Sequence, residues 1–232
     1  MALDGPRLPP ARGGATHLAV LVHGYGADGN DLIGLAPHFQ HLMPTTAFVA
    51  PNAPTPMTEG RGYQWFPFSE PDLEEIGKSV VATAPILDAF LDAELEHFGL
   101  GRERLMLIGF SQGAMLCLAV GLSRPCAAIL GFSGMLTGHK TLPVLGPEAP
   151  PIFLIHGDSD SAIPVTALFY SANVLATAGA RVQWHVSPNL GHTIGPDGLA
   201  LGVSFLALAA RNQLAVAGSI HCPLADARRV QV

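Results

Sequence analysis

The chain has 232 residues, of which 49% are hydrophobic and only 13% charged, so it can build a large apolar core and lacks the composition of a disordered protein. Its formal net charge of −6, from 12 Lys and Arg against 18 Asp and Glu, repels phosphate backbones and argues against nucleic acid as a partner. Because α/β chains of this length commonly fold as one unit, residues 1–232 are expected to form a single domain.

The first predicted elements are a leader and a set of strands. Residues 1–15 are rich in Pro and Gly and are expected to be a loose leader; they lack the apolar core of a signal peptide, which favours a cytoplasmic location. Beyond them, continuous β-prone runs are typical of strands buried in a parallel sheet. These runs occupy residues 16–24, 46–51, 104–110, 127–133, 151–157 and 181–187.

Helical patterns alternate with the later runs. Residues 75–98 have the apolar periodicity of an amphipathic helix, in which Pro85 is expected to introduce a kink. The most hydrophobic stretch of the chain, residues 199–210, is too short to cross a bilayer, so no stable membrane insertion is expected. Residues 217–232 differ in character from the rest and are predicted to be a flexible tail. Further helices are predicted over residues 112–123, 164–178 and 197–212.

This alternation predicts an α/β fold with a mainly parallel central sheet and helices on both faces. Two long Pro-rich connections, residues 51–73 and 138–150, interrupt the pattern without indicating a separate cap domain. In such sheets the reactive groups gather in loops at the carboxyl ends of the strands. Candidate catalytic residues are therefore expected directly after the strands.

A serine lies at one of these strand ends, in the G-x-S-x-G sequence of residues 109–113. The motif falls between a predicted strand and a predicted helix, where the glycines permit a tight corner that exposes the side chain of Ser111 as a nucleophile. The alternative interpretation is a plain turn with a helix-capping serine. Ser133 also follows a strand, but it lacks the second glycine and is interpreted as a loop or capping serine.

A nucleophilic serine requires a base and an orienting carboxylate, which these folds supply in the chain order serine, acid, histidine. After the strand over 151–157 come two candidate acids, Asp158 and Asp160, and after the next strand comes His192. A neutral imidazole can accept the serine proton and return it to a leaving group. At the other strand ends, His23 and His156 each precede a glycine, where a loop-anchoring hydrogen bond is expected rather than proton transfer.

Four motifs in this order carry a family resemblance: HGYGADGND at 23–31, GFSQGAM at 109–115, HGDSDSAIP at 156–164 and GH at 191–192. With them the chain resembles the phospholipase/carboxylesterase family of α/β-hydrolases, which contains bacterial carboxylesterases and acyl-protein thioesterases. The resemblance implies the α/β-hydrolase fold and a triad of Ser111, Asp160 and His192, with Asp158 as a supporting loop acid.

The same resemblance implies an oxyanion hole made of two main-chain N–H groups, those of Tyr25 and Gln112. Two positions depart from the family pattern. Ala114 stands where a second glycine is common, and Tyr25 stands where leucine is frequent. Neither departure touches the triad.

An aromatic segment over residues 60–68 is a candidate wall for the acyl pocket, because related proteins use an aromatic stretch here. The alternative is that these side chains plug the edge of the sheet. Trp65 is the candidate substrate-binding residue. The aromatic residues of the segment are Tyr63, Trp65, Phe66 and Phe68.

The sequence thus predicts a serine carboxylesterase that hydrolyses esters of small to medium acyl chains through an acyl-enzyme. Acyl-protein thioesterase or lysophospholipase activity are alternatives that use the same catalytic residues, and a remote alternative is a noncatalytic ligand-binding protein on a hydrolase fold. The expected partner is a small-molecule ester or an acylated protein, and a homodimer is common among relatives. No cofactor or metal is implied, since the loop acids offer too few oxygen ligands for a hard cation.

Overall fold

A seven-stranded sheet organises the fold in the computed structural model, which describes residues 3–58, 60–67, 72–138, 142, 144–146 and 148–214. Its strand order is β1-β3-β2-β6-β7-β8-β9, and every pairing is parallel except that of β1 with β3. The strands of this sheet are β1 Arg7–Leu8, β2 His17–Val22, β3 Thr46–Val49, β6 Leu105–Phe110, β7 Ala128–Phe132, β8 Ile152–Gly157 and β9 Val182–Ser187. A separate two-stranded hairpin pairs β4 Thr55–Pro56 with β5 Tyr63–Gln64.

Helices cover both faces of the sheet, which confirms the predicted architecture. Strand residues alternate between two apolar clusters: Leu18 and Val20 face one, and Ala19 and Leu21 face the other. This double burial explains why the strands read as continuous apolar runs. The helices are α1 Gly29–Ile33, α2 Ala36–Gln40, α3 Leu73–Phe98, α4 Gln112–Ser123, α5 Thr166–Thr177 and α6 Pro196–Ala210. Helices α3, α4 and α5 pack on one face, and α1, α2 and α6 on the other.

All six predicted strands and all four predicted helices are present, within a few residues of their expected ends. Helix α3 continues through Pro85 to Phe98. The short elements α1, α2, β1 and the β4–β5 hairpin were not predicted, since five or fewer residues show too little periodicity to be recognised. The predicted flexible tail over residues 217–232 lies outside the described residues.

Two residues of the predicted loose leader form the antiparallel edge strand of the sheet. Arg7 and Leu8 pair with Phe48 and Val49 of β3. The Arg7 guanidinium also pairs with the carboxylate of Glu94 on α3, whose side chain is only 8% exposed. Pro- and Gly-rich composition could not reveal this, because the partners lie 40 or more residues away in the chain.

The six parallel strands bring the segments that follow them to one edge of the sheet. The residues that follow β2, β6, β7, β8 and β9 are His23, Ser111, Ser133, Asp158 and Pro188. Among the described residues, no helix is both long enough and apolar enough to span a membrane.

Candidate active site

Ser111 forms the corner between β6 and α4 with a backbone that side-chain-bearing residues rarely adopt. Its φ is +54° and its ψ −118°, a conformation that costs of order 1–3 kcal/mol and persists only where the surroundings impose it. One constraint is visible at Gly113, where an added Cβ would collide with the carbonyl oxygen of Val22. The start of α4 therefore lies directly against the end of β2, and the serine is held at the carboxyl edge of the sheet.

Three side chains distant in sequence form one hydrogen-bonded chain at this edge. The Nε2 atom of His192 lies 3.0 Å from Ser111 Oγ, and its Nδ1 atom lies 2.7 Å from Asp160 Oδ2. Asp160 can only accept at this distance when ionised, so Nδ1 carries the proton and Nε2 is left to accept the serine hydroxyl. The structure thus brings together the three residues that the sequence predicted as a triad.

Asp160 is the triad acid because of its surroundings as well as its position. Its side chain is fully buried, and Oδ1 accepts hydrogen bonds from the main-chain N–H groups of Ala162 and Ile163, both at 2.9 Å. Burial acts to raise the pKa of Asp160, but the hydrogen bonds from His192, Ile163 and Ala162 outweigh it and hold the pKa below its usual value. The carboxylate is therefore ionised at neutral pH. The stability it contributes is present above the unfolded pKa and is lost as the pH falls through the folded pKa.

The neighbouring Asp158 has a different environment. Asp158 is exposed, and its Oδ1 accepts a hydrogen bond from the hydroxyl of Ser159, 2.8 Å away. Nearby, the main-chain N–H of Ser159 donates to the carbonyl of Leu190, so the loop carrying the acid is tied to the loop carrying His192. Of the two acids that the sequence offered, only Asp160 is paired with His192 in the structure.

The second candidate serine, Ser133, repeats the strand-end geometry without the chemistry. Its φ is +47°, and its main-chain N–H donates to Ile155. The residue is 1% exposed, and within the described part of the chain its Oγ atom has no hydrogen-bond partner. A strained backbone therefore does not by itself distinguish the two serines, whereas the contact with His192 does.

The first turn of α4 lies beside the loop after β2. Gln112 is the first residue of α4, and the N–H groups of a helix's first turn have no partner within the helix. A Cβ added to Gly24 would lie only 3.1 Å from the Cβ of Ser111, so the segment leading to Tyr25 passes directly by the nucleophile. The two segments predicted to supply the oxyanion hole are thus both next to Ser111.

A buried network that the sequence did not reveal joins these two segments. The side-chain amide of Gln112 accepts from the main-chain N–H of Trp65 at 3.2 Å and donates to the carbonyl of Phe66 at 2.9 Å. The indole N–H of Trp65 donates to the carbonyl of His23 at 2.9 Å. The aromatic segment is therefore a brace between the loop after β2 and the start of α4.

His23 completes this brace as a neutral imidazole. Its Nδ1–H donates to the carbonyl of Gly24 at 2.7 Å, and its Nε2 accepts from the main-chain N–H of Ala53 at 3.0 Å. Burial of the ring lowers its pKa below the usual value, because a charged imidazole would lose its hydration. The loop-anchoring role predicted for His23 agrees with these contacts.

Trp65 is not placed where a substrate-binding residue was expected. The residue is 2% exposed and packs in the core against α3 and α4, so it presents almost no surface to a ligand. This favours the alternative interpretation, in which the aromatic side chains fill space at the edge of the sheet. Phe68 lies outside the described residues.

Replacing Trp65 with Phe is expected to destabilise the protein by about 1–3 kcal/mol, because the buried His23 carbonyl loses its donor. Urea unfolding measures this change, and KM for an ester is expected to stay within about twofold since the buried ring presents almost no surface to a ligand. Trp184→Phe is the matched control, because the Trp184 residue is 40% exposed. A raised KM with unchanged stability would show that Trp65 contributes to substrate binding.

Within the described part of the chain, no group of three or more His, Cys, Asp or Glu side chains is placed to hold a metal ion. The polar groups gathered at the carboxyl edge are instead suited to nucleophilic attack followed by proton transfer.

Comparisons with known proteins agree with the arrangement of Ser111, His192 and Asp160. The profile of a family described as phospholipase/carboxylesterase matches residues 5–210. Among solved structures, the esterase PE8 superposes with a TM-score of 0.84 at 40% identity, covering 89% of this chain and 98% of that one.

Two curated relatives are also similar over most of the chain. An acyl-protein thioesterase 1 of Gibberella zeae is 27% identical over 226 residues, covering 87% of this chain and 94% of the relative. The esterase YpfH of Escherichia coli is 28% identical over 182 residues, covering 78% of this chain and 77% of the relative.

Proposed function

The chain belongs to the phospholipase/carboxylesterase family, and on that premise we propose that Ser111, His192 and Asp160 carry out the hydrolysis of carboxylic esters. The protein is a serine hydrolase of the esterase type. The single observation that supports this assignment of residues is the unbroken hydrogen-bond chain from Ser111 Oγ through both ring nitrogens of His192 to Asp160.

The geometry supports a two-step mechanism through an acyl-enzyme. Ser111 Oγ attacks the ester carbonyl carbon while Nε2 of His192 takes the hydroxyl proton, and the same proton then passes to the leaving alcohol as the C–O bond breaks. Water, deprotonated by His192, hydrolyses the acyl-serine in the second step and regenerates the hydroxyl. Throughout, Asp160 holds the tautomer of His192 and stabilises its charged form.

We assign the developing oxyanion to the main-chain N–H groups of Tyr25 and Gln112. The position of Gln112 at the start of α4 supports its part, since helix N-termini favour negative charge. The close approach of Gly24 to Ser111 supports a donor from the following residue, Tyr25. Each such donor contributes about 2.7–4 kcal/mol of transition-state stabilisation in serine hydrolases.

The substrate is an oxygen ester of a small to medium acyl chain, with a thioester of an acylated protein as the second candidate. The relative named acyl-protein thioesterase 1, which is covered over 94% of its length, favours this second candidate. Both substrates form the same acyl-enzyme, because only the leaving group differs. That the protein is a homodimer, that it folds as a single domain and that it is located in the cytoplasm stay predictions from the sequence.

A panel of oxygen esters of increasing acyl length, each beside its matched thioester, tests the substrate class, with an S-acylated peptide included. We expect kcat/KM to be highest for an oxygen ester of short or medium chain. A higher kcat/KM for the S-acylated peptide than for every small ester would make the protein an acyl-protein thioesterase. Hydrolysis of no member of the panel by the folded protein would contradict the proposed substrates.

A further inference from the structure

A second histidine lies against the carboxylate of Asp160, on the strand before it. His156 belongs to β8, and its side chain is fully buried. Its Nε2 atom lies 2.8 Å from the carbonyl oxygen of Ile163 and 3.2 Å from Asp160 Oδ2. The same carboxylate oxygen is the one that receives the N–H of His192. Asp160 Oδ2 is therefore approached by two imidazole rings.

The neighbours of Nε2 define the direction of its hydrogen bond. Both neighbours of Nε2 are oxygen atoms that accept hydrogen bonds, so this nitrogen carries the proton. The other nitrogen, Nδ1, is buried and has no hydrogen-bond partner among the described residues. His156 thus directs one N–H at the loop of the triad acid.

The main chain of Ile163 links this ring to Asp160. Its N–H donates to Asp160 Oδ1 at 2.9 Å, and its carbonyl accepts from His156. The turn of residues 160–163 is therefore held from two sides, by the acid it carries and by the strand it leaves. Burying the polar ring of His156 costs free energy, so its presence in the core calls for a function that offsets this cost.

We propose that His156 is a positioning residue for the triad acid: its Nε2–H holds the turn of residues 160–163 so that Asp160 Oδ2 faces His192 Nδ1. This inference rests on the proposed function of Ser111, Asp160 and His192. The contacts of His156 Nε2 are with Ile163 and Asp160, so its effect on the reaction is exerted through Asp160. Without its N–H, the turn can shift and the carboxylate no longer meets His192 at 2.7 Å.

Two amide substitutions at position 156 separate the two ring nitrogens. In His156→Gln the side-chain amide reaches the place of Nε2, whereas in His156→Asn it reaches only the place of Nδ1. We expect His156→Asn to lower kcat by about 10- to 100-fold with KM within about twofold, as displacement of a catalytic group does. His156→Gln is expected to keep kcat within about fivefold of the parent protein.

Each variant is also made in an Asp160→Asn background, where a residue that acts through Asp160 has nothing left to position. There, His156→Asn is expected to cause no further loss of kcat, since interactions made through a shared partner are not additive. His17→Asn is the matched control, because His17 is a buried histidine at the opposite, amino-terminal end of β2. Urea unfolding confirms that each variant is folded before its kinetics are compared.

The outcomes are decisive in either direction. Loss of kcat in His156→Asn, rescue in His156→Gln and no further loss in the Asp160→Asn background support the positioning role. Full activity of His156→Asn, or an equal fold-loss in both backgrounds, overturns it. If His156→Asn does not fold, loss of kcat in a folded His156→Gln also overturns it. Failure of the triad itself is recognised separately, as an Asp160→Asn protein that retains the parent rate.

Discussion

Replacing Ser111 with Ala is expected to lower kcat for ester hydrolysis on the order of 10⁶-fold, the loss seen when a serine hydrolase is deprived of its nucleophile. The hydroxyl that bonds to His192 Nε2 is removed, so no acyl-enzyme can form. The oxyanion donors and the binding surface remain, which leaves a small residual rate above that in water. Steady-state kinetics with an ester measure this change.

Covalent labelling with a fluorophosphonate, read by intact mass, gives a second measurement of the same prediction. The parent protein is expected to gain one label, and Ser111→Ala none. Ser133→Ala is the matched control, because Ser133 also follows a strand with a positive φ but is 1% exposed, and its Oγ forms no hydrogen bond with a described residue. A labelled Ser111→Ala protein, or a label lost from Ser133→Ala, would show that the nucleophile has been misassigned.

Replacing Asp160 with Asn is expected to lower kcat by about 10⁴-fold, because it imposes the wrong tautomer on His192. In the structure Oδ1 accepts two main-chain N–H groups, from Ala162 and Ile163. The carbonyl oxygen of Asn takes this place, so its NH₂ group faces His192 Nδ1. That nitrogen must then accept, which protonates Nε2 and prevents it from taking the proton of Ser111.

Asp158→Asn is the matched control for this substitution. Asp158 is two residues away and exposed, and the hydroxyl of Ser159 can donate to the amide oxygen as it does to the carboxylate. Its kcat is expected to stay within about twofold of the parent value, as for most surface substitutions. A larger loss of kcat in Asp158→Asn than in Asp160→Asn would exchange the assignments of the two acids.

The opposing effects on Asp160 explain why so buried a carboxylate can serve at neutral pH. Taking an unpaired carboxylate out of water would neutralise it. Here two main-chain N–H groups and one imidazole N–H satisfy its oxygens, and the pKa falls despite burial. The main-chain N–H groups of the loop thus help to keep the triad acid ionised.

Much of the fold, and the position of the nucleophile, could be predicted from the local order of the residues. The strands were predictable because each is buried on both faces and must be continuously apolar, and Ser111 was predictable because a strand-to-helix corner of this kind requires glycines on both sides. Asp160 was separable from Asp158 only through the family resemblance, since both follow the same strand.

Only the tertiary structure decided the features that depend on partners distant in the chain. Arg7 and Leu8 form the edge strand because β3 and Glu94 supply partners for it, and Trp65 is a buried brace because His23 and Gln112 lie next to it. The meeting of His156 with Asp160 depends likewise on how the turn after β8 folds back. Periodicity and motif spacing report which residues leave the solvent, whereas a hydrogen bond depends on which two groups the fold brings within about 3 Å of each other.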